Sequence, residues 1–407
     1  VPRLGIPDLV MSDGPHGVRR EIGKYWDYYK KPLQGFLDSS TYLPVGICLA
    51  ATWNEDLGYA YGRVLGSEAS FRGKDVILGP GINIIRTPLN GRNFEYQSED
   101  PLLAAKMTVG YIKGVQSQGV SASVKHYIAN NQEVNRMKID VQMSERALRE
   151  IYLPAFKAAV VEADVNTVMG AYNKFRGQYA THNDYLVNQI LKGEWGFKGI
   201  MLSDWAAADD TMESLLYGLD IEMGTSMNMG EYPNKYNKFF MADTTVIPLV
   251  KSGKVPESFI NDKVRRILRI MYKTHMMDGG RPKGAYNTPA HQQVALKVAE
   301  EGLVLLKNRG GLLPLQQNKI KTIAVIGANA DRKNALGGGS SQVKAFYEVT
   351  PLQGLKNLIG KQARITYSEG YRIERKPTAN ADSLINAAVR AAKAADVVVL
   401  VGGWTNK

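Results

Sequence analysis

The 407-residue sequence predicts an α/β protein of two domains, the first of them a (β/α)8-like TIM barrel. Short runs rich in Val, Ile and Leu alternate with segments of helical periodicity, the pattern of βα units around a parallel sheet. Five such units precede residue 225, and this number favours a barrel over an open sheet. The chain is also too long for one average domain.

Each predicted strand of the first domain is a short apolar run that ends in polar or aromatic side chains. The five runs are DVILGPGIN (75–83), VSASVKHY (120–127), VNTVMGAY (165–172), KGIMLSDW (198–205) and LDIEMG (219–224). Helical periodicity before and between the runs predicts helices over 53–72, 144–163 and 183–195.

A change of composition marks the expected domain boundary. Residues 278–290, DGGRPKGAYNTPA, are short of apolar side chains and rich in residues that break regular structure. We therefore predict a barrel over 1–277, a linker over 278–290 and a second α/β domain over 291–407. In that domain VALKVAEEGLVLLKN predicts a helix running into a strand, and KTIAVIGANA, ARITYS and DVVVLVGG predict three more strands.

Composition argues against several classes of protein. Cys48 is the single cysteine, so a disulfide framework or a zinc cluster is not expected. No run approaches 18 apolar residues, which argues against a membrane span. The net charge is +12, but the densest basic run, 263–276, has helical spacing typical of a solvated outer face, so nucleic-acid binding is not expected.

Neither a cofactor nor a catalytic metal is predicted. GPGIN does not lead into a helix, and IGANADRKNALGGGSS lacks both GxGxxG and the lysine of a phosphate-binding loop. HExxH, CxxC and calcium-loop spacings do not occur in the sequence. A nucleotide-dependent enzyme built on the second domain is therefore a weak alternative.

Most candidate site residues stand where barrel strands end, which is where barrel enzymes carry their chemistry. Asp13 and Arg19 belong to an added loop over residues 11–20. Several have simpler explanations. Asp204 could cap the following helix, and Arg92 could pair with Glu95 or Glu99 on the surface. Lys125 and His126 are neighbours, so both can face one site only if the strand has ended or is irregular. The candidates are Asp13, Arg19, Arg92, Lys125, His126, Tyr172, Asp204 and Trp205.

Together these residues suit a sugar and need no cofactor. Carboxylates and cations form charge-assisted hydrogen bonds with hydroxyl groups, and a tryptophan offers a platform to the apolar face of the ring. One more carboxylate beside the anomeric carbon could attack it, as in a retaining glycosidase. Asp204 is the natural candidate for that role.

Eight motifs occur along the first domain in this order: SDGPHGVR, ATWN, LGPGINIIRTPLNGRNFEYQSEDP, VKHYIANNQE, SERALREIYLPAF, VMGAYN, GIMLSDW and GLDIEM. Together they resemble glycoside hydrolase family 3, the β-glucosidase group. Five later motifs resemble the second domain of that family: EEGLVLLKN, LLPL, IAVIGANA, GGGSS and TPLQGL. The resemblance implies a barrel followed by an α/β sandwich. It also implies a retaining, exo-acting β-glucosidase with Asp204 as nucleophile, acting on cello-oligosaccharides and aryl glucosides.

By the same resemblance, the glycosyl unit is bound by the other candidates, Asp13, Arg19, Arg92, Lys125, His126, Tyr172 and Trp205. A β-xylosidase of the family and a non-catalytic carbohydrate-binding relative are the alternatives. Such substrates are often met outside the cytoplasm, so we expect a secreted or periplasmic protein, although no export signal is visible at VPRLGIPDL.

The sequence departs from the family pattern in three places. Members begin a few dozen residues before PRLGIP, and their general acid/base is a glutamate beyond the strand that here reads DVVVLVGGWTNK. We therefore expect both domains to be incomplete at the chain ends and the acid to be missing from this segment. The aromatic segment 21–38 is longer than expected, which suits either an aglycone platform or a homodimer interface.

Overall fold

The computed structural model describes residues 1–19, 39–224, 239–335, 339–341, 343–373 and 381–403. Its contacts divide the chain into two compact units, Val1–Leu303 and Val304–Lys407. None of the described helices combines the length and apolar composition needed to cross a bilayer. The aromatic segment 21–38 lies outside the described residues.

Five parallel strands form the main sheet of the first unit, in the order β1-β2-β3-β5-β8. A parallel bridge from Leu202 to Ile221 continues this order by one more position. The strands of the unit are β1 Met11–Asp13, β2 Val76–Leu78, β3 Ser121–Tyr127, β4 Asp140–Val141, β5 Thr167–Gly170, β6 Lys174–Phe175, β7 Gln178–Tyr179 and β8 Ile200–Leu202. Strands β4, β6 and β7 form a separate small sheet.

Helices join and cover these parallel strands, as in a (β/α) barrel. They are α1 Gly46–Ala51, α2 Glu55–Phe71, α3 Pro101–Gln116, α4 Glu145–Ala147, α5 Pro154–Val161, α6 Thr211–Leu216, α7 Asp243–Lys251, α8 Glu257–Lys273 and α9 Pro289–Glu301. The predicted helix 144–163 is divided by a π-helical turn, Leu148–Tyr152, before Pro154, which has no backbone N–H to donate. The predicted helix 183–195 is π-helical over Asp184–Glu194.

Local sequence explains how helices α2 and α3 start and pack. Asn54 caps α2 and Asp100 caps α3, each accepting hydrogen bonds from two backbone N–H groups of the first turn. The two helices then approach closely through glycine. A Cβ at Gly62 would lie 2.1 Å from the carbonyl oxygen of Tyr111, so a larger residue would force the helices apart.

The predicted strands of the first domain largely form. Those expected within 75–83, 120–127, 165–172 and 198–205 are β2, β3, β5 and β8. The run 219–224 contributes only the bridge at Ile221 among the described residues. Met11–Asp13, treated as part of a loop in the sequence, is the strand β1, which is too short to show a periodic pattern.

The structure divides the chain differently from the predicted barrel 1–277, linker 278–290 and domain 291–407. The predicted linker binds the first unit, since Arg281 Nη1 lies 2.7 Å from Asp75 Oδ1. Helix α9 packs against α1 and α2. Its residue Val298 is fully buried, and His291 Nδ1 lies 3.1 Å from the buried Glu68 Oε1. These contacts place residues 278–303 in the first unit.

The second unit contains the three other predicted strands. They are β9 Thr322–Ile326, β10 Arg364–Ser368 and β11 Val397–Leu400, with β9 in the middle and all three parallel. Its described α-helices are α10 Pro351–Ile359 and α11 Ala381–Lys393. The strand expected in GLVLLKN does not form. Residues 303–308 are irregular, and Leu306 is 91% exposed because no described strand pairs with this segment.

Replacing Val298 with Ala tests whether α9 belongs to the first unit. Loss of two fully buried methyl groups should lower the free energy of unfolding by about 2 kcal/mol. Urea unfolding followed by tryptophan fluorescence measures it, since four of the five tryptophans lie within residues 1–303. Leu296→Ala on the half-exposed side of the same helix is the matched control, and equal effects of the two would contradict the assignment.

Candidate active site

Asp204 lies just beyond the C-terminal end of β8, with only 6% of its surface exposed. Its Oδ1 accepts a hydrogen bond of 2.8 Å from the Tyr172 hydroxyl and one of 2.7 Å from the backbone N–H of Trp205. Its Oδ2 lies 3.5 Å from His126 Nε2. The helix cap considered for Asp204 is provided by Asp210, whose side chain accepts from Glu213 N.

Two opposing effects set the protonation of Asp204. Burial raises the pKa of its carboxyl group, and this is the largest effect. The positive charges of Arg92 and Lys125 act in the opposite direction, as do the hydrogen bonds of the carboxylate. The pKa remains above its ordinary value, so the two cations limit the cost of a buried charge without cancelling it.

The two side chains beside the Asp204 carboxylate, Tyr172 and His126, are both uncharged. Burial raises the pKa of Tyr172, so its phenol keeps the proton that it donates to Asp204. Burial, followed by the charges of Arg92 and Lys125, holds the pKa of His126 well below its usual value. At neutral pH an uncharged imidazole therefore faces Asp204.

Lys125 and His126 both reach the site, because β3 is irregular at this point. The register of β3 against β5 shifts between Val124 and Tyr127, and the Lys125–His126 peptide bond is cis. Asn83 holds the backbone here, donating to the His126 carbonyl at 2.9 Å and accepting from its N–H at 2.8 Å. Adjacent residues can thus serve a single pocket.

A second group of charges surrounds Asp13 at the end of β1. Asp13 Oδ2 lies 3.2 Å from Arg19 Nη1, and its Oδ1 lies 3.7 Å from Lys125 Nζ. Lys125 also lies 3.8 Å from Glu95 Oε2, and Glu95 in turn pairs with Arg92. The predicted residues therefore form one network from Asp13 to Asp204.

Arg92 pairs with Glu95, as the simpler explanation proposed, but the pair does not lie on the surface. Arg92 does bind Glu95, but the Glu95 side chain is completely buried, and the pair lies inside the site. Sequence analysis did not select Glu95 as a site residue. Its position three residues after Arg92 in GRNFE is a local signal of pairing, but it does not indicate burial.

Two further features complete the described pocket. Trp205 is half-buried and lies against Gly224, where an added Cβ would come within 2.6 Å of the indole Cδ1. Arg136 was missed from the sequence; its guanidinium lies 4.1 Å from the centre of the Tyr172 ring, a cation–π contact. Arg136 sits in the irregular segment after β3, where no periodicity marks it.

The site is a strongly polar, largely buried cluster of side chains around the Asp204 carboxylate. Among the described residues, no group of three or more His, Cys, Asp or Glu side chains is arranged to hold a metal ion. The pocket instead combines the anions Asp13, Glu95 and Asp204 with the cations Arg19, Arg92 and Lys125. Such groups can bind several hydroxyls while one carboxylate reacts.

Models of a known family match both units. The model described as the glycosyl hydrolase family 3 N terminal domain matches residues 31–270, and that of the C-terminal domain matches 303–406. The chain belongs to glycosyl hydrolase family 3. The resemblance found in the sequence motifs and the barrel-plus-sandwich architecture that it implied are both confirmed.

Curated and solved proteins of family 3 are similar over nearly the whole chain. A beta-glucosidase of Bacteroides ovatus is 49% identical over 99% of this chain and 55% of its own length. An exo-alpha-(1->6)-L-arabinopyranosidase of Bifidobacterium breve is 35% identical over 99% of this chain and 51% of its own. The structure of beta-glucosidase 3B from Thermotoga neapolitana in complex with glucose has a TM-score of 0.85 and 35% identity, covering 100% of this chain and 57% of that one. The chain thus spans about half the length of the curated relatives.

Replacing Glu95 with Gln tests the buried charge network. The change leaves Arg92 and Lys125 buried with one anion fewer, so the free energy of unfolding should fall by about 3 kcal/mol. Glu99→Gln, four residues along at an exposed position, is the matched control and should change stability by less than about 0.5 kcal/mol. Chemical denaturation of both variants measures this; a Glu95→Gln protein as stable as the control would contradict the network.

Proposed function

We propose that this chain carries the nucleophile and the glycosyl-binding residues of a retaining, exo-acting β-glucosidase. It would release glucose from the non-reducing ends of β-glucosides such as cello-oligosaccharides and aryl glucosides. The observation that carries the proposal is the buried Asp204 carboxylate, with Oδ1 held by two donors and Oδ2 beside a neutral imidazole. Family membership and the beta-glucosidases among the relatives support the same reaction.

The geometry suggests which oxygen of Asp204 reacts. Oδ1 uses its lone pairs to accept from Tyr172 and Trp205, whereas the contact of Oδ2 with His126 is 3.5 Å long. We assign the attack to Oδ2, which forms a bond to the anomeric carbon as the bond from that carbon to the aglycone oxygen breaks. Water then hydrolyses the glycosyl-enzyme, and the configuration at the anomeric carbon is retained.

A second carboxyl group must protonate the leaving oxygen and later activate water. The carboxylates linked to Asp204 in the described network do not suit this role. The Asp13 and Glu95 carboxylates are already held in ion pairs with Arg or Lys side chains of the network, so we assign them to binding and not to acid catalysis. The glutamate acid implied by the family resemblance stays a prediction.

The polar side chains around Asp204 are proposed to bind the glycosyl unit. Asp13 can accept hydrogen bonds from two sugar hydroxyls at once, which suits a hexose whose O6 is present. Arg19 and Lys125 hold the Asp13 carboxylate in place. A pentoside is the second candidate, because arabinopyranose, named in one relative, lacks the exocyclic carbon. Among enzymes that act on pentosides, a β-xylosidase is the alternative to a β-glucosidase for this chain.

Trapping of the glycosyl-enzyme tests the proposed nucleophile. The protein is incubated with an activated 2-deoxy-2-fluoro-β-glucoside, whose leaving group departs without an acid, and intact mass and peptide mapping locate the adduct. We expect one glycosyl unit on Asp204 and none on Asp204→Asn. Because the pKa of Asp204 is raised, labelling should decline with falling pH sooner than for an ordinary aspartate. Absence of an adduct from folded, glucose-binding protein would instead support a non-catalytic carbohydrate-binding relative.

Binding of glucose and xylose to the wild type and to Asp13→Ala tests the choice of sugar. Loss of charge-assisted hydrogen bonds to two hydroxyls should weaken glucose binding by roughly tenfold or more. Xylose lacks O6, so its affinity should be lower in the wild type and should fall less in the variant. Calorimetry gives both affinities. Tighter binding of xylose than of glucose by the wild type would favour the pentosidase.

A further inference from the structure

A buried histidine beside the site has no part in the chemistry described so far. His182 is completely buried, and both of its ring nitrogens face carboxylates. Nε2 lies 2.9 Å from Asp209 Oδ1, and Nδ1 lies 3.0 Å from Glu213 Oε2. The two carboxylates are partly exposed, so the histidine ties two surface groups to the interior. We call these three residues the His182 clamp.

Two members of the clamp lie on the segment that follows the proposed nucleophile. Asp209 is five residues after Asp204, at the end of the loop that leads into α6, and Glu213 lies in the first turn of that helix. At the start of the loop, Ala206 N donates to the carbonyl of Met223 at 3.2 Å. The clamp is therefore a side-chain anchor at the far end of the loop that carries Trp205.

His182, the third member, is tied to the end of β5, which leads into Tyr172, the hydrogen-bond donor to Asp204. His182 ends the short helical turn Ala180–His182, which follows β7. In that turn, Thr181 Oγ1 donates to the Ala171 carbonyl at 3.1 Å, and Ala171 directly precedes Tyr172. The clamp thus connects two segments. One is the end of β5, next to the Tyr172 hydroxyl, and the other is the loop beyond β8, next to the Asp204 carboxylate that accepts the hydrogen bond of Tyr172.

The two ring nitrogens make the connection specific to histidine. They lie on different sides of one planar ring, so a single buried side chain reaches both carboxylates. Burial raises the pKa of Asp209, and the charge of His182 opposes that change. Without the histidine, Asp209 and Glu213 would repel each other. The small hairpin contributes three neighbouring groups. The charge of Lys174 acts on Asp209, Gln178 Nε2 donates to Glu213 Oε1 at 3.5 Å, and the Tyr179 ring centre lies 6.1 Å from that of His182.

We propose that His182 is a positioning residue for the glycosidase reaction. Through Asp209 and Glu213 it holds the loop after β8 against the end of β5, and so keeps the Asp204 carboxylate aligned with its Tyr172 donor and with the bound sugar. His182 acts through its carboxylate partners and has no contact role in the chemistry. Because the loop carries the proposed nucleophile, this role rests on the proposed function.

The test measures three quantities during labelling with the same activated 2-deoxy-2-fluoro-β-glucoside. They are the rate constant of the covalent step, the reagent concentration that gives half the maximal rate, and the final labelled fraction. For His182→Ala we expect the rate constant to fall by about 10- to 100-fold, as a small misplacement of a reacting group would cause. The half-saturating concentration should stay within about twofold, and the labelled fraction should remain complete.

Two further variants make the result specific. Asp209→Asn keeps the size of the side chain and removes one charge of the clamp, so its rate constant should fall by roughly threefold or more with complete labelling. It also keeps the test open if His182→Ala does not fold. His275→Ala is the matched control, since His275 Nδ1 lies 3.0 Å from Asp278 in a similar but exposed pair on the same unit. Its labelling kinetics should equal those of the wild type.

The possible results separate this role from the proposed function. Labelling of the wild type together with unchanged rate constants in both clamp variants would overturn the positioning role and leave the glycosidase standing. A lower labelled fraction at an unchanged rate constant would show that His182 only stabilises the fold, which also overturns the role. Failure of the folded wild type to label would overturn the proposed function and the role of His182 with it.

Discussion

The arrangement of the first unit depends on one constraint, the burial of a charged carboxylate at Asp204. A buried charge is costly unless opposite charges and hydrogen-bond donors surround it. Here Arg92 and Lys125 supply the opposing charge, and Tyr172 and Trp205 supply the donors. The cations must in turn be balanced, which explains the buried Glu95 and the paired Asp13. The site is therefore a network of alternating charges, in which each member requires the next.

A parallel sheet is well suited to assembling such a network. Asp13, Lys125, Tyr172 and Asp204 are far apart in sequence, but each stands at the C-terminal end of a strand, and those ends meet at one edge. The irregular end of β3 delivers two adjacent residues, Lys125 and His126, to the same pocket. If His182 acts as proposed, its contacts with Asp209 and Glu213 also hold two of the strand ends together.

Much of this could be predicted, because apolar runs followed by polar residues are a local pattern. The strand ends at Lys125, Tyr172 and Asp204 were found in this way, and the family motifs joined them into one site. Contacts between distant segments leave no such pattern. The burial of Glu95, the position of Arg136 over Tyr172 and the ion pairs of His182 all depend on residues brought together only by folding. Residues 278–290 were predicted as a linker from their polar composition. In the fold Arg281 binds Asp75, and helix α9, which follows, packs against α1 and α2; such contacts leave no pattern in the sequence.

The most direct test of this account is the titration of Asp204 itself. Carbon NMR of protein labelled at the aspartate carboxyl groups, compared with Asp204→Asn, isolates its signal. The account predicts a carboxyl that titrates at higher pH than an ordinary aspartate, because burial outweighs the two cations, yet is ionised at the pH of activity. Titration at or below the ordinary value would mean that the cations outweigh burial. A carboxyl still protonated at the pH of activity would contradict its proposed role as nucleophile.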